Sequence, residues 1–224
     1  MFEDILKAKH KVEKYVKKRM EEFSSLKEKG ITHYDFRPFL DVDFYADTFS
    51  ELCFCLLTAN SSASMGIRIQ KDIGIDGFRS LSSDELRRIL SKHGHRFVLQ
   101  RAGRIVKARN LFSDILDLIK RAKSGKEVRE LLSDTCSKYK VEGFGLKEAS
   151  HFLRNIGFQD VAIIDRHVFR YMKEMGMLSD QKTITRKVYL RAEEKLEEVC
   201  STLGIVQAEL DLYIFYIKTG KVLK

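Results

Sequence analysis

Residues 126–170 read KEVRELLSDTCSKYKVEGFGLKEASHFLRNIGFQDVAIIDRHVFR. Val128, Leu131, Leu132 and Tyr139 recur at helical spacing before the glycines, and Leu146, Ala149, Phe152, Leu153 and Ile156 do so after them. The period predicts two helices packed on each other across a tight Gly143-Phe144-Gly145 turn. Glycines there permit positive φ and keep side chains out of the way. Backbone N–H groups of the turn and of the second helix's first turn can then point outward together, at the positive end of a helix dipole. Such a group of donors suits a phosphate. A turn of this kind would serve any helical hairpin, so the charged residues around it carry the rest of the argument.

Lys147 lies two residues past the second glycine, in the first turn of the second helix. The helix dipole, neighbouring basic residues and partial burial all oppose an ammonium there and favour the neutral amine that a nucleophile requires. The plain alternative is a lysine that only contacts phosphate. Asp165 follows Lys147 by eighteen residues and separates the apolar run Val161-Ala162-Ile163-Ile164 from a new helical pattern. That position makes it an N-cap. Capping leaves room for chemistry: a carboxylate fixed by backbone N–H groups stays ionised, can face a developing cation, and can orient or deprotonate an amine.

The rest of the chain sets limits. Its 224 residues, 44% of them hydrophobic, suffice for one large domain or two small intimate ones. A single proline and the scarcity of long alternating segments predict an all-α fold. The formal charge of +9 suggests a polyanionic partner, though only weakly. Cys53 and Cys55 lie in an apolar run, and neither they nor Cys136 and Cys200 have zinc or iron–sulfur spacing, so reduced thiols and a cytoplasmic protein are expected. The start of the chain has no uninterrupted apolar core of a signal peptide, and no run approaches the roughly 20 residues of a membrane span.

Taken in order, residues 3–29 predict a surface helix stopped by Gly30. The aromatic stretch 31–45 reads as an ordered, irregular connection. Asp47 or Thr48 caps a helix from Phe49 to about Ala59 that is apolar nearly all round and therefore central. Residues 66–80, with three glycines, read as a helix-to-loop passage. Ser82 and Glu85 form a capping box for a short helix that Gly94 closes. From Leu86 to Ser113 there are eight Lys or Arg residues (Arg87, Arg88, Lys92, Arg96, Arg101, Arg104, Lys107, Arg109) and no acid, which marks a solvated face or a DNA contact. His93 and His95 lack a third metal ligand and are discounted as a metal site. A helix from about Arg101 to Lys123 ends at Ser124-Gly125. Beyond the opening stretch, Gly176 to Ser179 reads as a turn, Thr183 or Thr185 opens a helix that Gly204 stops, and a last helix runs from about Val206 to Lys218.

With these residues in view, V-E-G-F-G-L-K-E-A-S followed by V-A-I-I-D-R-H-V resembles the helix-hairpin-helix and Gly/Pro-Asp signature of the endonuclease III superfamily of DNA glycosylases. The Gly-Pro element is absent: Ile163-Ile164 precede Asp165. G-L-K-E-A-S-H-F-L-R-N-I-G, A-I-I-D-R-H, L-T-A-N-S-S-A with G-I-R-I-Q-K, and the terminal lysine are most similar to the compact archaeal-type 8-oxoguanine DNA glycosylase/AP lyases. The resemblance covers residues 49–172 well. It implies two helical subdomains, residues 1–48 with 166–224 and residues 49–165, with the helix-hairpin-helix (about 126–157) at the cleft between them. It implies a flipped oxidised guanine in double-stranded DNA as substrate, Lys147 as nucleophile forming a Schiff base, Asp165 as the catalytic carboxylate, and Lys224 in damaged-base recognition. Gly143 and Gly145 would bind the DNA backbone. Asn60 would enter the duplex near the flipped base, and Phe97, beside Arg96, would stack near the opposite base. Carbonyls of Tyr139, Val141 and Phe144 would hold a structural monovalent cation; no cofactor is required, and a monomer associated with the nucleoid is expected. Two alternatives stay open: the same fold acting on oxidised pyrimidines, and a helix-hairpin-helix module that binds DNA without catalysis. The second leaves the pairing of Lys147 with Asp165 unexplained.

Overall fold

The computed structural model describes residues 2–178 and 183–224. The fold is all-α, with one small addition. Its helices are α1 (Glu3–Lys29), α2 (Thr48–Thr58), α3 (Ala63–Ser80), α4 (Ser83–Lys92), α5 (Val98–Arg121), α6 (Gly125–Ser133), α7 (Leu146–Asn155), α8 (Arg166–Glu174), α9 (Arg186–Leu203) and α10 (Gln207–Thr219). The addition is an antiparallel pair, β1 (Ile31–Asp35) with β2 (Asp43–Asp47), in register from Ile31 opposite Asp47 to Asp35 opposite Asp43. The expected irregular connection is therefore a β-hairpin. Thr32 and Tyr34 point inward and Ile31 and His33 outward, an alternation of only five residues that is too short to stand out in the sequence.

α2 is the central helix. Every residue from Phe49 to Thr58 is buried. Asp47 starts it: the Asp47 side chain accepts from Ser50 N at 2.8 Å and Ser50 Oγ accepts from Asp47 N at 2.9 Å. α3, α5 and α7 pack around α2, while α1 lies along α10, which also contacts α8 and α9. The passage expected at 66–80 is instead helical, broken at Gly74, where φ is 67°. Gly66 permits that helix to lie close to α2, since a Cβ there would stand 2.8 Å from Thr58 Cγ2. The capping box of Ser82 and Glu85, the Gly30 and Gly204 stops and the Thr185 cap form as expected. Of the turn expected at Gly176–Ser179, Ser179 lies outside the described residues. No helix of the described residues is long and apolar enough to cross a membrane.

The helix-turn-helix reading of the opening stretch needs one correction. α6 stops at Ser133, so Tyr139 is not on it, and an ordered loop rather than a three-residue turn leads to α7. The loop folds back because its apolar residues are buried: Val141 is 2% and Phe144 3% exposed. Val141 N donates to Leu132 O at 3.2 Å and Phe144 N to Val141 O at 3.0 Å. Ser124 and Gly125 begin α6 as well as following α5, with Ser124 Oγ accepting from Glu127 N and the Asp160 carboxylate accepting from Gly125 N.

Candidate active site

α7 carries Lys147 at its second position. Gly145, the N-cap residue, has no side chain to satisfy the first amides of the helix, so these stay free at the surface. Gly143 has φ +98°, with the Arg104 side chain lying against it; Gly145 has φ −104° and needs no positive φ. The two glycines thus serve different ends. Gly143 makes the bend, and Gly145 leaves the helix N-terminus open. Glu148 Oε2 accepts from Gly145 N at 3.3 Å, and Glu148 Oε1 lies 3.8 Å from Lys147 Nζ.

Asp165 is the N-cap of α8. Both cap bonds go to one oxygen: Oδ1 accepts from His167 N at 2.8 Å and Val168 N at 2.9 Å, which leaves Oδ2 for the cleft. The segment in front of it is held by α9. Tyr189 OH donates to Ala162 O at 2.6 Å, and Ala162 N donates to Glu193 Oε1 at 2.9 Å. Glu193 also pairs with buried Arg129 of α6 at 2.5 Å. One buried ion pair thereby ties the helix that precedes the hairpin to the strand-like run that delivers Asp165.

Lys147 and Asp165 line the same cleft, of about 680 Å³, together with Asn60, Gly145, Arg166, Thr185, Arg186 and Tyr189. A second cavity of about 270 Å³ opens from the same two residues and runs inward past His151, Arg154, Asp211 and Phe215 to Leu223 and Lys224. The expected nucleophile and carboxylate therefore stand where an outer groove meets an inner pocket. Asn60, in the left-handed region at φ 61°, sits on the turn after α2 at the mouth of that groove.

The inner pocket rests on a buried polar network. Lys224 is 4% exposed, and its Nζ donates to Glu51 Oε1 and, at 2.6 Å, to Gln70 Oε1. Gln70 Nε2 donates to Glu51 Oε1 at 2.8 Å and Asn155 Nδ2 to Glu51 Oε2 at 2.9 Å. The ammonium lies 4.0 Å from the Tyr34 ring centre and 4.3 Å from that of Phe54. Burial lowers the Lys224 pKa to about 8 against the opposing pull of Glu51. Asp211, paired with Arg154, is pushed up to about 6 by burial, partly offset by that arginine. His151 has neither ring nitrogen hydrogen-bonded; burial, then Arg154, Lys147 and Lys224, hold its pKa well below the usual value, so the ring is neutral at pH 7.

The acid-free basic run is largely committed to the fold. Arg101, 2% exposed, donates to Ala59 O at 2.6 Å, and Arg109 donates to Phe78 O and Leu81 O. Lys107 and Arg104 pair with Glu142, and Arg87 with Asp84. These contacts give much of the run, expected as a solvated face or a DNA contact, a role within the fold: its partners are carbonyls and acids from outside the run. Arg96 lies over the Phe97 ring at 5.4 Å, and neither lines the cleft. His95 holds the turn from below, with Nε2 2.9 Å from Leu57 O and Nδ1 accepting from Phe97 N. Gly143, Tyr139, Val141 and Phe144 also lie away from the cleft lining. Arg166, Arg186, Glu51, Gln70, Asp211 and His151 were not singled out as site residues from the sequence, and Thr185 only as a helix cap. Two of them had a signal: His151, one helical turn after Lys147, and Glu51, the one charged residue of an apolar helix.

The family model described as 8-oxoguanine DNA glycosylase matches residues 16–205. An 8-oxoguanine DNA glycosylase/AP lyase of Aquifex aeolicus is 58% identical over 213 residues, covering 95% of this chain and 94% of that one. The Methanocaldococcus jannaschii protein of the same name is 44% identical over 210 residues, covering 93% of this chain and 91% of the relative. The crystal structure of Methanocaldococcus jannaschii 8-oxoguanine glycosylase/lyase in complex with a 15mer DNA containing 8-oxoguanine superposes with a TM-score of 0.84 at 41% identity, covering 99% of this chain and 98% of that one. The structure of the 8-oxoguanine DNA glycosylase of Thermotoga maritima gives 0.83 at 38% identity, covering 99% and 97%. Matched by the family model over most of its length and 58% identical to one member, the chain belongs to the 8-oxoguanine DNA glycosylase family.

Proposed function

We propose that the protein excises 8-oxoguanine from double-stranded DNA and then nicks the strand, as a bifunctional glycosylase/AP lyase. The observation that carries this is the junction of two cavities at Lys147 and Asp165: an outer groove of about 680 Å³ and an inner pocket of about 270 Å³ with room for one base. An amine at that junction reaches a sugar only when its base has left the stack. The open amides at the start of α7 take a backbone phosphate, and Gly143 sets the bend that presents them.

Lys147 Nζ attacks C1′ of the flipped nucleotide, the bond from C1′ to the base breaks, and the departing base takes up a proton. Asp165, with Oδ1 fixed by two amides, presents Oδ2 to the cationic sugar and receives the proton lost by the amine. The sugar ring opens to a Schiff base between Lys147 and C1′. Loss of a C2′ proton then breaks the bond to the 3′ phosphate. Lys224 contributes to recognition as an anchor: its ammonium is held by Glu51 and Gln70, which fixes Leu223 and its own backbone as part of the pocket wall. Asn60 lines the groove where the displaced stack must be held open, and Phe97 with Arg96, outside the cleft lining, would meet the opposite strand. The substrate places the protein with the nucleoid, and one chain carries all of these groups.

Borohydride trapping on duplexes with 8-oxoguanine opposite cytosine tests the reading. A covalent adduct is expected with the wild type and none with Lys147→Gln. A folded wild type that gives no adduct refutes the lyase step; an adduct with oxidised pyrimidines only would change the substrate.

A further inference from the structure

Of the carbonyls of Tyr139, Val141 and Phe144, which a structural monovalent cation would need, two are already engaged. Phe144 O accepts from Lys140 Nζ at 2.5 Å, and Val141 O accepts from Phe144 N at 3.0 Å. The same ammonium donates to Ser133 O at 2.7 Å, the last carbonyl of α6, where the helix dipole is negative. A bare cation is held by converging oxygens that replace its water shell. Here an ammonium stands among them with two charge-assisted hydrogen bonds, and the guanidinium of Arg104 adds positive charge to the same loop. A metal ion bound to Phe144 O would lie beside the ammonium and be repelled by it. The residues present therefore do not fit a metal ion while Lys140 holds this position.

We propose that the Lys140 ammonium is the resident cation of the hairpin and takes the place of a metal ion. Its charged surroundings agree with this. Burial lowers its pKa, Asp134 and Glu148 oppose that shift, and Arg104 adds to it. The two acids flank the ammonium from the end of α6 and the start of α7. By joining Ser133 O to Phe144 O, Lys140 fixes the distance between the last turn of α6 and the residue before Gly145. The open amides at the start of α7 are aimed by that link. An internal cation stays at its site whatever the salt composition, whereas a bound metal ion leaves when its concentration falls.

The proposal rests on the reading of the hairpin as a phosphate site, so the test has two arms. The first measures binding to undamaged duplex at equal ionic strength in potassium chloride and in tetramethylammonium chloride, whose cation is too large for a carbonyl cage. Wild-type affinity should agree within about twofold between the salts, and Lys140→Met should bind about tenfold more weakly in tetramethylammonium chloride. A wild type that loses tenfold when potassium is removed, or a Lys140→Met protein that binds like the wild type, overturns the proposal. The second arm needs neither DNA nor activity. Wild-type crystals soaked in rubidium chloride should show no anomalous peak at the hairpin carbonyls, and a peak there overturns the proposal even if no DNA binding is found. If Lys140→Met fails to fold, Lys140→Arg, which keeps a cation, should bind within about threefold of the wild type in both salts; a salt-dependent Lys140→Arg would count against the idea.

Discussion

Replacing Glu51 by glutamine probes the link between the core and the base pocket. Glu51 is completely buried on α2, and each of its oxygens is used: Oε1 by Lys224 Nζ and Gln70 Nε2, Oε2 by Asn155 Nδ2. Glutamine keeps the shape but loses the charge, and its amide group must face one of these donors. Removing one partner of a buried ion pair costs about 3–5 kcal/mol because the other charge is left uncompensated. Lys224 can relieve part of that by shedding its proton, since its pKa already sits at about 8 and would fall further without Glu51. The lower end, about 3 kcal/mol, is therefore expected, and for a chain of this size it lowers Tm by about 6–12 °C. The effect on function should be selective. With Lys224 unanchored, the wall made by Leu223 and Lys224 loosens, so kcat/KM on 8-oxoguanine should fall by at least about tenfold while binding to undamaged duplex is kept. Calorimetry and single-turnover excision measure the two. A Glu51→Gln protein with wild-type Tm and wild-type excision would refute the anchoring argument. Glu51→Met combined with Lys224→Met should melt above Glu51→Gln, because it leaves no unpaired buried charge, yet should not recover excision.

Three further outcomes are expected. Asp165→Asn keeps a capping side chain, so stability should change by less than about 1 kcal/mol while excision slows by about 100-fold or more; equal losses in both would reduce Asp165 to a cap. Gly143→Ala should weaken duplex binding, because φ is +98° and a Cβ would meet Arg104 Cδ at 2.8 Å, whereas Gly145→Ala, at φ −104° with its nearest neighbour 3.5 Å away, should be tolerated in a filter-binding assay. Discrimination between 8-oxoguanine and guanine should decline as pH rises past about 8, where Lys224 loses its charge, and that limb should vanish in Lys224→Met. The sign for stability is opposite. The lowered pKa means that the folded state holds fewer protons than the unfolded one between about 8 and the usual lysine value near 10.4, so this group's contribution improves as pH rises through that window and is lost as pH falls through 8.

The proposed catalytic pair was legible because its pieces are close in sequence and each follows a local rule. Period 3.6 marked α7, glycine marked the bend, and an aspartate between an apolar run and a helical pattern marked a cap. The β-hairpin was missed because the inward residues Thr32 and Tyr34 occupy only two alternating positions. The roles within the basic run could not be told apart for a different reason. Whether an arginine faces solvent, DNA or a carbonyl depends on what the fold brings to it, and the carbonyls of Ala59, Phe78 and Leu81 reach Arg101 and Arg109 only in the folded chain. Lys140 was hidden in the same way: in sequence it is one more basic residue of a loop, and its meaning comes from Ser133 and Phe144 closing around it.

One residue carried more information than its reading used. Glu51 is the only charged residue in FSELCFCLL, a stretch whose apolar surround predicts a helix buried on all sides. A carboxylate in such a place is tolerable only if a cation and further donors are buried with it. The sequence thus demanded a buried lysine or arginine somewhere, without saying which. Nothing local to Lys224 marks it as that partner, and the two are 173 residues apart. An unpaired acid in a central helix and an isolated base elsewhere are each uninformative alone; together they become a prediction of contact. Here that contact ties the wall of the inner pocket to the middle of the core, so on the proposed function the specificity of the site depends on the same buried network that stabilises the fold.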